Sequence, residues 1–298
     1  MLGPLLFIIF INDIPDHVQS CSKIFADDTK LYCSALSPDC TRVLQSDIDA
    51  VVEWSVRWQL PLNTNKCSVL HMGHNNTCIT YTMAGTTLST VEAEKDLGVW
   101  IDNDLKFRKQ AASVVSKASQ VLAMIRKSFT AITVTSLPLL YKSLVRPILE
   151  YGNVTWGPFN RHDQQAVERV QRRATRLVPS LRNHSYVDRL KALDLPSLYH
   201  RRRRGDMIRV FQILQRNIDL DPERFFAMAN HRRTRGHSLK LAKPVAVSRV
   251  RRNCFSVRVV SDWNSLPEAV VESTTVNQFK ARLDAHWAPH KYDIPIQD

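Results

Sequence analysis

The chain has 298 residues, 44% of them hydrophobic, with only 8 glycines and 14 prolines. That composition supports a packed core spread over roughly two or three domains and excludes long disordered tracts. The formal charge of +13 is unevenly placed: residues 161–258 hold 24 Lys/Arg against 8 Asp/Glu, while the remainder holds 17 against 20. A surplus confined to one half points to a polyanionic partner, of which the phosphate backbone of a nucleic acid is the commonest. Six cysteines form no CxxC pair. In a chain of this length without a secretory signal they fit a reduced intracellular protein, nuclear or cytoplasmic and not secreted, better than a disulfide scaffold.

The first segment, "MLGPLLFIIFI", is apolar on every side from Leu5 to Ile11. It is too short to cross a bilayer, which takes about 20 residues. It expects burial by neighbours, and its lack of a polar lead-in reads as a chain cut from a longer one. "CSKIFADDTKLYCSA" reads as strand, two-residue turn, strand, with Asp27 and Asp28 at the tip. Helical spacing follows at Val43, Leu44, Ile48, Val51, Val52, Trp54 and Trp58, closed by Pro61. "KCSVLHMG", "CITYTMAGTTL" and "VEAEKDLGVWIDNDL" read as strands, the last as a pair around Gly98. Residues 1–104 therefore predict an α+β region with an antiparallel sheet.

From residue 105 the periodicity becomes helical. Val114, Val115, Ala118, Val121, Leu122, Ile125 and Phe129 form one stripe. Leu137, Leu140, Leu144 and Ile148 form a second, bent or ended by Pro147. A third helix starts at Asn160, with Val167, Val170, Ala174 and Leu177 inward and Arg169, Arg172, Arg173 and Arg176 on other faces. Two more surround "SYVDRLKALDL" and "GDMIRVFQILQ". Residues 105–218 form this helical region, and 219–298 a basic C-terminal region ending in helices. There Thr275 with Gln278 fits a capping box. Trp54, Trp58, Trp156, Trp263 and Trp287 fall at apolar spacings and read as core.

Adjacent carboxylates repel unless solvated or shared with a cation. Mg²⁺ takes carboxylate oxygens, water and substrate phosphates. In two-metal phosphoryl transfer, ions about 4 Å apart serve the attacking and leaving oxygens. An "ADD" alone is weak evidence for such chemistry, but its surroundings strengthen it. "LGPLLFIIFINDIP", "FADD", "LNTNKCSVLHMG" and "KDLGVWIDNDLKF" resemble, in order, the palm motifs of non-LTR retrotransposon reverse transcriptases. "LYKSLVRPILEYGNVTWGP", "RVQRRATRLV" and "RVVSDWNSLPEAVV" resemble the thumb and C-terminal region of jockey-like elements. The resemblance implies a partial polymerase palm, a helical thumb, an RNA template, a DNA primer, dNTPs and two Mg²⁺ ions, with no membrane.

Residue by residue, Asp27 and Asp28 match the catalytic, metal-binding pair, and Phe25 stands where many relatives carry Tyr. Lys66 matches the palm lysine that protonates the leaving pyrophosphate, with Asn63 shaping its loop. Leu97 and Gly98 match the turn that places the primer terminus, and Gly3 and Pro4 a motif remnant. Arg172, Arg173 and the run Arg201, Arg202, Arg203, Arg204 read as phosphate contacts; a nuclear signal or an exposed turn between helices also explains the run. One departure stands out. The family's other catalytic Asp lies upstream of the "GPL" motif, and Asp13 and Asp16 sit on the wrong side to replace it. The expectation is a reverse transcriptase fragment inactive by itself; the alternatives are an RNA- or DNA-binding fragment and a decayed remnant. Cys67, His71, His74 and Cys78 have zinc-like spacing, although ordinary surface residues explain them better.

Overall fold

A computed structural model describes residues 2–34, 39–73, 76–158, 160–229 and 237–294. The chain divides into two compact units, residues 1–96 with 101–105, and residues 97–100 with 106–298.

The first unit opens with α1 (Leu2–Ile11). Strands β1 (Cys21–Phe25) and β2 (Asp28–Tyr32) then pair antiparallel. Helix α2 (Cys40–Arg57) is followed by β3 (Ser68–Leu70), β4 (Thr82–Met83), β5 (Thr86–Thr87), β6 (Ser89–Val91) and β7 (Ala93–Asp96). The α+β class is as expected. The sheet, however, comes in two-stranded pieces, and β3 runs parallel to β6. Alternation in β1 and β2 turns Ile24 and Leu31 onto a core of Ile11, Ile14, Val51 and Trp54. The Trp54 indole donates to Asp13 Oδ1 at 3.0 Å, and buried Asp47 accepts the backbone N–H groups of Gln19 and Ser20 at 2.9 and 2.7 Å. These bonds satisfy polar groups that would otherwise be costly inside.

Three expectations shift in this unit. Trp58 is not core: it is 44% exposed, because α2 ends at Arg57 and leaves it at the cap with one edge against Phe10. Cys33 and Cys40 form a disulfide between the end of β2 and the start of α2, where full reduction was expected; spacing alone did not show that the fold brings them together. The apolar face of α1 is left open, with Leu2, Leu5, Leu6, Ile8 and Ile9 all exposed.

The second unit begins in β8 (Val99–Asp102) and continues through α3 (Arg108–Ser128), α4 (Ser136–Leu140), a π turn (Tyr141–Val145) and α5 (Arg146–Glu150). The π turn corrects the predicted stripe. Leu137, Tyr141, Val145 and Leu149 are the buried positions, whereas Leu144 is exposed. Steps of four overshoot an α-helical turn by about 40° each at about 100° per residue. The wider turn absorbs that drift and sits just before Pro147, which has no N–H to donate. Helices α6 (Arg161–Thr175), α7 (Tyr186–Ala192) and α8 (Leu198–Leu214) complete one core with Trp156, Val167, Val170 and Leu190. After the short helix α9 (Arg249–Asn253), a second core gathers α8, α10 (Phe255–Asn264), α11 (Glu268–Val271) and α12 (Val276–His286) around Phe211, Trp263, Phe279 and Leu283. Thr275 caps α12 by accepting the Gln278 N–H at 3.1 Å, and Gln278 Oε1 accepts from Thr274 N at 2.8 Å, one residue off a strict box.

Burial also gives this unit a pH dependence. His200 and His237 are buried, and desolvation holds both below the ordinary imidazole range. Near neutral pH both stay uncharged in the folded chain. Below about 6.5 the unfolded chain binds more protons, so stability falls as pH drops through that value. Replacing His237 by Gln should therefore cost less stability at pH 5 than at pH 7.5 in urea titrations. An equal cost at both would show that its burial carries no linkage.

Candidate functional site

The β1–β2 hairpin places the two aspartates differently. Ala26 and Asp27 form the turn, while Asp28 is already in β2, paired across from Phe25. Directly opposed residues share a face. Asp28 therefore shares the outward face with exposed Phe25 and with the Lys23–Lys30 pair, opposite the face of Ile24 and Leu31. Both carboxylates are exposed. Ala26 has φ +50°, a left-handed conformation that side-chain-bearing residues seldom hold. Two residues past Asp28, Lys30 forms a short ion pair with Asp96 Oδ1, tying β2 to the end of β7.

Lys66 ends a single 3₁₀ turn, Thr64–Lys66, and is exposed. Asn63 shapes that turn: its Oδ1 accepts the Asn65 N–H at 3.2 Å and its carbonyl accepts the Lys66 N–H at 3.0 Å. Leu97 and Gly98 both have positive φ, +44° and +85°, the signature of a tight primed turn. Tyr151, which sequence reading did not single out, locks it. The Tyr151 hydroxyl donates to the Leu97 carbonyl at 2.8 Å, and a Cβ on Gly98 would stand 3.1 Å from the Tyr151 ring. No local pattern links residues 54 positions apart.

The basic residues fall into two groups. The run Arg201–Arg204 lies inside α8, not in a turn between helices. Three of its four cations are paired with carboxylates of the chain. Arg201 pairs with Glu150, Arg203 bidentately with Asp262 at 2.8 and 2.7 Å, and Arg204 with Asp284. The Arg202 Nη2 is buried without a hydrogen-bond partner. Asp206, one turn on, holds Arg258 through two bonds of 2.9 Å. Arg201, Arg203 and Arg204 are thus spent on carboxylates of the fold, a use that their reading as phosphate contacts did not foresee. Arg172 and Arg173 differ. Arg172 lies over the Tyr186 ring at 4.9 Å, with its Nε buried and unpartnered, and Arg173 donates to Ser119 Oγ at 2.7 Å.

Of the zinc-spaced group, His74 lies outside the described residues. Cys67 is half-buried, His71 stacks on Tyr81, and Cys78 is exposed. Among the described residues no three His, Cys, Asp or Glu side chains gather as a metal site. Asp27 and Asp28 supply the hard oxygen donors a divalent ion takes, but a pair alone does not meet the ligand count of two ions. No helix among the described residues is long and apolar enough to cross a membrane.

Residues 1–110 match the reverse transcriptase (RNA-dependent DNA polymerase) family, which generally works with divalent metal ions. The chain is 30% identical over 177 residues to the RNA-directed DNA polymerase from mobile element jockey of Drosophila funebris, covering 53% of this chain and 19% of that protein. It is 26% identical to the jockey enzyme of Drosophila melanogaster over 53% of this chain and 19% of the relative. It is 25% identical to a probable RNA-directed DNA polymerase from transposon X-element of the same fly, over 60% and 21%. No solved structure matches significantly. The chain thus spans about a fifth of the length of these relatives. The aspartate hairpin lies inside the segment that matches this family, and the chain is similar over about half its length to RNA-directed DNA polymerases of jockey and related mobile elements.

Proposed function

We propose that this chain is part of an RNA-directed DNA polymerase, with a palm portion in residues 1–104, a thumb in 105–218 and a basic C-terminal region in 219–298. The observation that carries the reading is the Asp27–Asp28 hairpin, solvent-facing and inside the segment that matches the reverse transcriptase family. In that reading Asp27 and Asp28 supply carboxylate oxygens for Mg²⁺, Lys66 is the proton donor toward the leaving pyrophosphate, and the Leu97–Gly98 turn supports the primer end. RNA template, DNA primer and dNTPs are the partners, in the nucleus or cytoplasm.

The pair needs at least one further carboxylate, which no described residue brings to it. Purified alone with an RNA template, a DNA primer, dNTPs and Mg²⁺, the chain should extend no primer above the background of its Asp27→Ala variant. Extension that disappears in Asp27→Ala would show that the site is complete as it stands. When a polypeptide that supplies a further carboxylate allows extension, Asp27→Ala and Asp28→Ala should each lower it by orders of magnitude. Extension indifferent to both would refute the assignment of the hairpin. Retained nucleic-acid affinity without chemistry is the second reading, and Arg169 and Arg173 of α6, both exposed and in no ion pair with a described carboxylate, favour it.

A further inference from the structure

The outward face of the β1–β2 hairpin carries the cross-strand pairs Cys21–Tyr32, Lys23–Lys30 and Phe25–Asp28. Two lysines thus stand directly opposite each other, where like charges repel. Asp28 lies two residues before Lys30 on β2, about 7 Å along the strand. A lysine has a flexible four-carbon stem and a compact charge. Lys30 therefore has Asp28 within reach on its own face, and Lys23 pushes it away. It pairs instead with Asp96, the last residue of β7, a strand outside the hairpin sheet. β7 is itself held, because Glu94 accepts from Ser68 Oγ of β3 at 2.9 Å. Asp28 is exposed, whereas the Asp96 side chain is only 26% exposed. Water screens a charge less at the more covered carboxylate, which favours Asp96 as the partner. Lys23, Asp27 and Asp28 make no ion pair with any described residue.

We propose that Asp96 is a positioning residue for the hairpin's cation site, a role that rests on reading Asp27 and Asp28 as the metal-binding pair. It holds the Lys30 ammonium away from Asp28, so both adjacent carboxylates stay open to a divalent ion. A carboxylate engaged by an ammonium offers fewer oxygen lone pairs to a metal. A unit positive charge about 7 Å away also opposes a divalent ion directly. With Asp96 in place, Lys30 adds no net charge to the face of Asp28. Without it, Lys30 turns to Asp28, the next carboxylate on its own face. The two partners of this ion pair therefore act on the hairpin with opposite sign. Lys30 competes with a bound cation, and Asp96 restrains the competitor. They lie 66 residues apart, so no local pattern in the sequence joins them.

The test titrates the isotope-labelled full chain with Mn²⁺ alone and follows paramagnetic broadening of the Ala26, Asp27, Asp28 and Thr29 amide signals. Asp96→Asn should raise the Mn²⁺ concentration for half-broadening about three- to tenfold at low ionic strength, and less as salt screens the charge. Lys30→Gln should leave that concentration at or below the wild-type value. Adding Lys30→Gln to Asp96→Asn should bring it back there, and Asp96→Glu should stay near wild type. A bond that only fastens two strands gives a different pattern: both single variants loosen the hairpin alike, and the double variant rescues nothing. That pattern, or an Asp96→Asn titration equal to wild type, overturns the proposal. It leaves the metal-binding pair in place as long as Asp28→Asn abolishes the broadening. If the amide spectrum shows Asp96→Asn unfolded, Lys30→Gln decides alone: a value above wild type overturns the role, and one at or below it supports the role. Broadening at the hairpin that survives Asp28→Asn, or none in the wild type, overturns both the role of Asp96 and the metal assignment of Asp27 and Asp28.

Discussion

Asp206→Ala should destabilise the second unit by about 3–5 kcal/mol, the usual cost of removing one partner from a buried ion pair. The Asp206 and Arg258 side chains are only 11% and 18% exposed. Arg258 also donates to the carbonyls of Asn153, Val154 and Asn253 at 3.2, 3.0 and 3.1 Å, so one guanidinium joins α10 to the end of α9 and to the segment after α5. Without the carboxylate, a buried cation is left with carbonyls alone. Asp206→Asn keeps two polar atoms near the guanidinium and should cost less. Burial already pushes the Asp206 carboxyl up, with Arg258 pulling the other way. The charged pair therefore loses part of its attraction to desolvation, and its value lies in what breaking it exposes. Guanidinium-induced unfolding of wild type, Asp206→Ala and Asp206→Asn decides the matter. A loss under about 0.5 kcal/mol in Asp206→Ala, the range of ordinary surface changes, would show the pair to be incidental.

Gly152→Ala is the second large effect. Gly152 has φ +67°, and a Cβ there would stand 2.9 Å from Val99 Cγ2, with Trp156 Cδ1 at 3.5 Å. Left-handed strain costs on the order of 1–3 kcal/mol, and overpacking a filled core adds about 1–3 kcal/mol. Trp156 is wholly buried and Val99 nearly so, so neither has open space to move into. Val99 directly follows Gly98, and Tyr151, which holds the Leu97 carbonyl, directly precedes Gly152. The substitution should therefore loosen the Leu97–Gly98 turn as well as lower stability. Hydrogen exchange at residues 97–100 should speed up in Gly152→Ala more than at α12. Uniform change across the unit would mean that only global stability fell.

The arginine run shows where reading a sequence stops. Four consecutive basic residues have the same one-dimensional appearance whether they face phosphate or carboxylate. Their partners Glu150, Asp262 and Asp284 lie 51, 59 and 80 residues away, a distance that only helix packing closes. The π turn is similar: its sequence allows an ordinary α-helical stripe, and the register follows from which side chains the neighbouring helices bury. Trp58 met an apolar spacing but fell beyond the last turn of α2, so periodicity assigned it to a core the helix does not reach.

What the sequence by itself determined is local. The aspartate hairpin, the Asn63-shaped turn, the Leu97–Gly98 turn and the Thr275 cap rest on hydrogen bonds and φ preferences within a few residues, so the order of residue types specifies them. The family likeness of the palm segment is legible for the same reason, since its motifs are short runs. The tertiary structure alone decided which cations are spent on carboxylates and which are left together without them. It also joined Cys33 to Cys40 and set Tyr151 on the turn at Gly98. Those outcomes depend on burial and on charges brought together across long stretches of chain, where the energy comes from packing that no local pattern encodes.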